Sequence, residues 1–439
     1  MTPGRVICSL TVLVLVVYAS DTPDTLRVTN VLYRHGDRAP TLKLPLDRVN
    51  SSYWKYGYGE LTEVGKAEQY RLGLWLRQQY DPILTKIFDH TNIEVRSSDK
   101  DRCLVSAYSN LAGLYSNQTP AEDLQLPYVR WQPVPVHTEP VITDEILAMN
   151  RPCSKVDKSQ IEAFTSPAVL QINKDYASFF KLVANHTGLD LSSNGFRDIW
   201  LATDSLYCES LHGLPLPSWT QQQNVSCSNN VDIPCEGKTV WQVMKEMSDL
   251  QFLVMFNTSV LHRFEGGPLL EDIVSKFKAY VAGHRTIQFN MYSAHDTTVA
   301  ATLSALGVFD EKQPEYASAV MIELHNMTTD AEKWEVKVFY KPVTDNNTVL
   351  SLSMPGCKSP CSLTDFALML DKYKITDWDT ACENNPKPVP PTSILGLTES
   401  EVIVITICTA VVFILLIISC ICWVRGRSGG HRGHIYDRM

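Results

Sequence analysis

The order of apolar patterns along the chain predicts an α/β protein: a mostly parallel sheet flanked by helices, with a smaller, mainly helical cap and one C-terminal membrane helix. Three observations carry that prediction. Strand-like and helix-like periodicities alternate on both sides of the middle of the chain. The stretch 156–271 is helical in pattern but broken by loops rich in proline and cysteine. Residues 402–424 are apolar or small without interruption.

The elements follow in order. Residues 6–19 form a short apolar run behind Arg5 and end in Ala19 and Ser20, too short to span a bilayer and shaped like a cleaved signal peptide over 1–19. Residues 27–33 read as a strand, 61–79 as a helix carrying Gly65 and Gly73, 92–96 as a short strand and 103–114 as a helix. Farther on, 286–293 is a strand with Ile287, Phe289 and Met291 on one face, followed by a helix of small residues at 297–306. Strands alternating with helices place the core in 20–155 and 272–382, with the cap, 156–271, between them. The polar, proline-rich segment 383–392 opens a semi-rigid stalk reaching residue 401.

Residues 402–424 are long enough to cross roughly 30 Å of hydrocarbon. Glu399 and Glu401 precede the span; Arg425, Arg427, Arg432 and Arg438 follow it, which places the tail, 425–439, in the cytosol. A leader and one late span describe a type I membrane protein, with roughly 380 residues outside the cytosol, enough for one large or two ordinary domains. The tail ends Tyr436-Asp437-Arg438-Met439, the tyrosine, two polar residues and bulky apolar residue that clathrin adaptors bind as an added strand.

The net charge of −9 argues against a broad nucleic-acid surface, so clusters of arginine stand out as sites. Of 12 cysteines, Cys8 lies in the leader and Cys408, Cys420 and Cys422 in the span. Cys103, Cys153, Cys208, Cys227, Cys235, Cys357, Cys361 and Cys382 remain, an even set that implies disulfides in an oxidising compartment without giving their pairing. No matched C-x-x-C spacing points to zinc. N-x-S/T sequons at Asn50, Asn117, Asn185, Asn224, Asn257, Asn326 and Asn346 all fall outside the cytosol, so glycosylation and topology agree.

Chemistry concentrates at Val31-Leu32-Tyr33-Arg34-His35-Gly36-Asp37-Arg38-Ala39-Pro40-Thr41, where an apolar strand runs into a turn with one histidine between two arginines. An imidazole between fixed cations is a nucleophile facing a dianion site, and phosphate monoesters are the matching guest. The pattern R-H-G-x-R-x-P arises by chance in about one in ten thousand chains of this length. Two more strand-like segments end in reactive residues: Arg96-Ser97-Ser98-Asp99 and His295-Asp296. Taken singly, a surface charge at Arg96 or a helix cap at Asp296 would explain them. All three could meet where ligands collect in open α/β sheets, beyond the C-terminal strand ends.

With these segments the chain resembles the histidine acid phosphatases of the phosphoglycerate-mutase-like superfamily, nearest their lysosomal and prostatic branches. The resemblance also runs through Gly59-Glu60-Leu61-Thr62-Glu63-Val64-Gly65, the stretch from Arg96 to Arg102, Trp131-Gln132-Pro133-Val134-Pro135-Val136-His137-Thr138, Leu206-Tyr207-Cys208-Glu209-Ser210, Leu214-Pro215-Leu216-Pro217-Ser218-Trp219, Ser293-Ala294-His295-Asp296-Thr297 and Pro355-Gly356-Cys357-Lys358-Ser359-Pro360-Cys361. It implies a phosphoglycerate-mutase-like sheet and hydrolysis of phosphate monoesters at acid pH. His35 is then the nucleophile that becomes a phosphohistidine, Arg34, Arg38, Arg96 and His295 hold the phosphate oxygens, and Asp296 donates a proton to the leaving alkoxide. Neutral His35 and protonated Asp296 would overlap in acid. The arginines take the place of a metal, and no cofactor is expected.

The resemblance also implies bridges Cys153–Cys382 and Cys357–Cys361. The family's partner for Cys208 would fall near Ala319 and is absent, so a rearranged cap disulfide among Cys103, Cys208, Cys227 and Cys235 is expected. The span and the tail favour a lysosomal membrane protein with a lumenal catalytic domain, reached through the secretory pathway or cell surface, and analogy implies a homodimer. The competing readings are a narrower lysophosphatidic acid or inositol phosphate phosphatase, and a non-catalytic surface protein that binds phosphorylated ligands. Some inositol polyphosphate phosphatases carry His-Ala-Glu where this chain has His295-Asp296, which lowers the first.

Overall fold

The computed structural model describes residues 25–116, 132–223, 235–284, 287–327, 333–343 and 347–384. Seven strands form one sheet: β1 (Leu26–Arg34), β2 (Ile93–Ser98), β3 (His137–Glu139), β4 (Phe289–Ala294), β5 (Ala319–Asn326), β6 (Trp334–Lys341) and β7 (Leu350–Leu352), in the order β3-β2-β4-β1-β5-β6-β7. The expectation of a mostly parallel sheet needs correction. The pairs β3–β2, β2–β4 and β4–β1 are parallel, but β1–β5, β5–β6 and β6–β7 are antiparallel. The pairs β5–β6 and β6–β7 belong to a meander with short connections, whereas β1–β5 is antiparallel because the chain returns from β4 through the helix Asp296–Ala305 and enters β5 at the edge where β1 ends.

Side chains of β1 alternate between two buried faces. Val28 and Leu32 join a core with Phe277, Tyr292, Val299 and Phe366. Val31 and Tyr33 join a second with Leu72, Leu111, Phe289 and Met291. Helices α1 (Glu63–Tyr80) and α2 (Asp101–Leu114) cover the second face. Thr62 caps α1 by accepting a hydrogen bond from the Gly65 amide at 3.2 Å. The helices Gly267–Val281, Asp296–Ala305 and Leu363–Leu370 cover the first. A sheet buried on both sides is fixed in register, because a one-residue slip would turn every side chain to the wrong face.

Between α2 and β4 the described elements are helical apart from the short β3. The helices Pro167–Asp175, Ala177–Thr187, Trp200–Leu211 and Val240–Phe256 enclose a core of their own around Tyr176, Phe179, Phe196 and Met247. Cys153 is bonded to Cys382, and Cys357 to Cys361. The expected cap disulfide through Cys208 is not formed: Cys208 and Cys103 are buried free thiols, while Cys235 is disulfide-bonded. Cys208 instead packs against Arg38 and the Tyr316 hydroxyl, at 3.8 and 3.4 Å.

Asn50, Asn185 and Asn257 are exposed and Asn326 is half-buried. Asn117, Asn224, Asn346, Cys227, the leader, the 402–424 span and the tail residues Tyr436 and Met439 lie outside the described residues. Among the described residues no helix is long and apolar enough to cross a membrane.

Candidate active site

The register of the parallel strands builds the site. Arg34 pairs with Ala294 and Ser97 with Ser293, so the chain leaves β1, β2 and β4 at the same edge. His35 is the first residue past β1. Its amide donates to the Ala294 carbonyl at 2.9 Å and its carbonyl accepts from the Ala317 amide at 3.1 Å. The next residue must be glycine, because a β-carbon on Gly36 would strike the Gly65 backbone and one on Gly65 would strike Asp37. The turn is thereby clamped to the first turn of α1.

His35 is only 2 % exposed, and its Nδ1 lies 2.9 Å from the Gly36 carbonyl. A carbonyl only accepts, so Nδ1 carries the hydrogen and Nε2 is the unprotonated nitrogen of the neutral ring. Burial, followed by the charges of Arg34, Arg102 and Arg38, holds the imidazole well below its ordinary pKa of 6.5.

Three guanidiniums surround this group. Arg34 donates to the Pro314 carbonyl at 2.6 Å, pairs with Asp296 at 2.9 Å and lies 4.0 Å over the Tyr316 ring. Arg38 makes a two-pronged pair with Asp204, at 2.7 and 3.1 Å. Asp204 comes from the helix Trp200–Leu211 and also accepts from the amide and hydroxyl of Thr41, each at 3.0 Å. Arg102, the second residue of α2, reaches to 3.4 Å from His295 Nδ1. The Nε–H groups of Arg34, Arg38 and Arg102 are buried without a hydrogen-bond partner among the described residues. Buried donors of this kind call for an acceptor, and an anion with several oxygens supplies it.

His295 precedes the helix Asp296–Ala305, and its Nε2 lies 2.9 Å from Ser98 Oγ. Burial and Arg102 push its pKa down to about 3. Asp296 Oδ1 accepts from the Thr297 amide at 2.9 Å, and Oδ2 accepts from Gln313 Nε2 at 3.1 Å in addition to Arg34. Burial acts to raise the Asp296 pKa, but Arg34 and Arg38 outweigh it and bring it down to about 2. The sequence calls for a protonated Asp296; in the free site Arg34 keeps it ionised instead.

Arg34, Arg38, Arg102, His295 and Asp296 line a cleft of about 1110 Å3. Arg96, which the sequence expects as a phosphate ligand, is placed elsewhere. It sits inside β2 level with Tyr292, short of the strand end, and pairs with Asp144 at 3.2 Å. Arg102, from the first turn of α2, lines the cleft instead. The signal was available: in a strand-to-helix turn, the first helical residues lie beyond the strand edge, whereas Arg96 is two residues before that edge. Sequence reasoning also missed Asp204, Gln313 and Tyr316, which contact Arg38, Asp296 and Arg34.

Behind the motif, the fully buried Asp37 accepts from Thr62 Oγ1 and lies 2.7 Å from His212 Nε2. The hydrogen bond to Asp37 raises the His212 pKa. The Asp37 amide donates to Glu68 at 2.7 Å, and burial lifts the Glu68 carboxyl to about 7.

A fold and site of this kind define a histidine phosphatase, and comparison with known proteins agrees. Residues 25–341 match the model of the histidine phosphatase superfamily (branch 2), and the chain belongs to that family. It is 33% identical over 423 residues to lysosomal acid phosphatase of Bos taurus, covering 94% of this chain and 92% of that protein. It is 36% identical over 364 residues to putative acid phosphatase 5 of Caenorhabditis elegans (82% and 79% covered). Prostatic acid phosphatase of Mus musculus is 33% identical over 364 residues (81% and 89% covered). The phytase of Citrobacter braakii shares the fold, with a TM-score of 0.57 at 16% identity over 80% of this chain and 98% of that one. The enzyme is an acid phosphatase that hydrolyses phosphate monoesters.

Proposed function

We propose that hydrolysis proceeds by double displacement, with His35 as nucleophile and Asp296 as proton donor. The observation that carries this reading is the His35 ring: Nδ1 is committed to the Gly36 carbonyl, and burial together with the surrounding arginines keeps the ring neutral in acid. Arg34, Arg38, Arg102 and His295 receive the phosphate oxygens. When a phosphate takes Arg34, Asp296 loses its counter-ion and faces a new negative charge, and both effects raise its pKa. At acid pH the ester arrives as a monoanion (second pKa about 6), and its proton passes to the Asp296 carboxylate.

His35 Nε2 then attacks phosphorus in line while the P–O ester bond breaks, and the leaving oxygen takes the proton from Asp296. In the second step water attacks the phosphohistidine and gives its proton to Asp296. The P–N bond breaks, its electron pair returns to Nε2, and phosphate leaves with the proton from Asp296, which restores the carboxylate. Hydrolysis of a chiral phosphate ester tests this sequence. Two in-line steps give retention at phosphorus, whereas inversion would mean direct attack by water and remove His35 from the covalent role.

The same reading extends to location. The 402–424 span, the tyrosine-bearing tail and an alignment with lysosomal acid phosphatase covering 94% of this chain support a membrane-anchored enzyme of the lysosomal lumen. Alkaline carbonate should leave the full chain in the membrane pellet and release a chain truncated before residue 402. Substituting Tyr436→Ala should shift the enzyme toward the cell surface; unchanged lysosomal delivery would argue against the adaptor signal.

A further inference from the structure

The segment Gln313-Pro314-Glu315-Tyr316 reaches the Arg34–Asp296 pair from a side that the strand-end motifs do not supply. Pro314 gives its carbonyl to Arg34 at 2.6 Å, and the Tyr316 ring lies 4.0 Å under the same guanidinium. Gln313 Nε2 lies 3.1 Å from Asp296 Oδ2, the oxygen that also takes Arg34 at 2.9 Å. The segment is itself anchored to the helical region: the Gln313 amide donates to Asp249 at 3.0 Å, and Glu315 accepts from the Tyr207 hydroxyl at 2.6 Å. Gln313 also lines the cleft.

We propose that Gln313 is a positioning residue for the proton-donating carboxyl. The inference rests on the reading of Asp296 as proton donor. In the free site the Asp296 carboxylate is held by Thr297 on Oδ1 and by Arg34 and Gln313 on Oδ2. A bound phosphate draws Arg34 away. Thr297 and Gln313 then remain, one fixed donor for each oxygen, and each oxygen keeps a lone pair for the travelling proton. Without Gln313, Oδ2 has no fixed partner at the moment the carboxyl must face the leaving oxygen, and misplacing a proton donor by a fraction of an ångström slows only the steps that need it.

Those steps are recognised by their leaving group. An alkoxide must be protonated as it departs, while p-nitrophenolate leaves without help. The experiment compares kcat and KM for glycerol 2-phosphate and p-nitrophenyl phosphate in the intact enzyme, its Gln313→Leu and Gln313→Met variants, and Asp296→Asn. In both Gln313 variants the ratio of alkyl to p-nitrophenyl kcat/KM, which is set by the first phosphoryl transfer and not by the second step in which Asp296 also serves, should fall about ten-fold. Asp296→Asn should lower the same ratio about 10²-fold or more. Equal losses on both substrates, or an unchanged ratio, in Gln313→Leu and Gln313→Met would overturn the role of Gln313. An unchanged ratio in Asp296→Asn would overturn the proton-donor reading beneath it.

Discussion

Two arginines six positions apart, Arg96 and Arg102, separate what the structure says from what the strand-ending pattern says. Arg102 faces the cleft and is one of the charges that depress both His35 and His295. Replacing it with methionine removes a charge-assisted contact to phosphate, on the order of 1.5–3 kcal/mol, or about a ten- to hundred-fold fall in kcat/KM. The loss has a pH signature. Without Arg102 the His35 pKa rises toward its ordinary value, so more of the nucleophile is protonated in acid and the deficit deepens as pH falls.

Arg96→Met acts differently. It strips the cation from Asp144, which is fully buried, while the amides of Ile146, Leu147 and Ala148 remain on that carboxylate at 3.1, 3.0 and 2.9 Å. Loss of one partner from a buried pair typically costs about 3–5 kcal/mol; the three remaining donors place this one nearer 1–3 kcal/mol. Urea unfolding and initial rates across acid pH, measured on both variants, resolve the two cases. A stable Arg96→Met protein with a collapsed kcat/KM, beside an active Arg102→Met protein, would refute the placement.

Other expectations follow from the same contacts. Asp204→Asn breaks the two-pronged pair with buried Arg38 and should lower kcat/KM at least ten-fold and stability by about 3 kcal/mol, read by kinetics and urea unfolding. Gly36→Ala forces a β-carbon into the Gly65 backbone and should lose about 1–3 kcal/mol along with most activity; an active, equally stable variant would contradict the clamp. Glu265 is buried, its one hydrogen-bond partner among the described residues is Gln160, at 2.9 Å, and burial lifts its carboxyl to about 8. Because the folded pKa lies above the unfolded one, its stabilising effect is complete below pH 4.5 and is lost as pH rises toward 8. Comparing wild type with Glu265→Gln in urea should expose a relative gain for the variant on the order of 4 kcal/mol across that window. His35 and His295 act with the opposite sign. Both are buried with pKa values below 6.5, so the unfolded chain takes up protons first and their contribution declines as pH falls below that value.

Much of the site was legible in the chain because its parts are local. Arg34, His35 and Arg38 share one turn, and His295 and Asp296 adjoin one strand end, so the register of three parallel strands brings them together without further information. What was not legible depends on partners far apart in sequence. Whether Arg96 or Arg102 lies beyond the sheet edge depends on where β2 stops, which residue spacing leaves open by several positions. The ionised state of Asp296 depends on Arg34, and the free thiol of Cys208 on a pocket shared with Arg38 and Tyr316. The antiparallel half of the sheet escaped notice because β5 is almost wholly buried and shows no alternation of polar and apolar residues.

The most direct test of the account is a rapid-quench reaction with phosphate-labelled ester at acid pH, followed by peptide mapping under alkaline conditions that preserve phosphohistidine. The account predicts a burst of alcohol release and label on His35 that turns over with the second step, with the burst absent in His35→Ala. Label on another residue, or full turnover with no labelled protein in an active preparation, would contradict it.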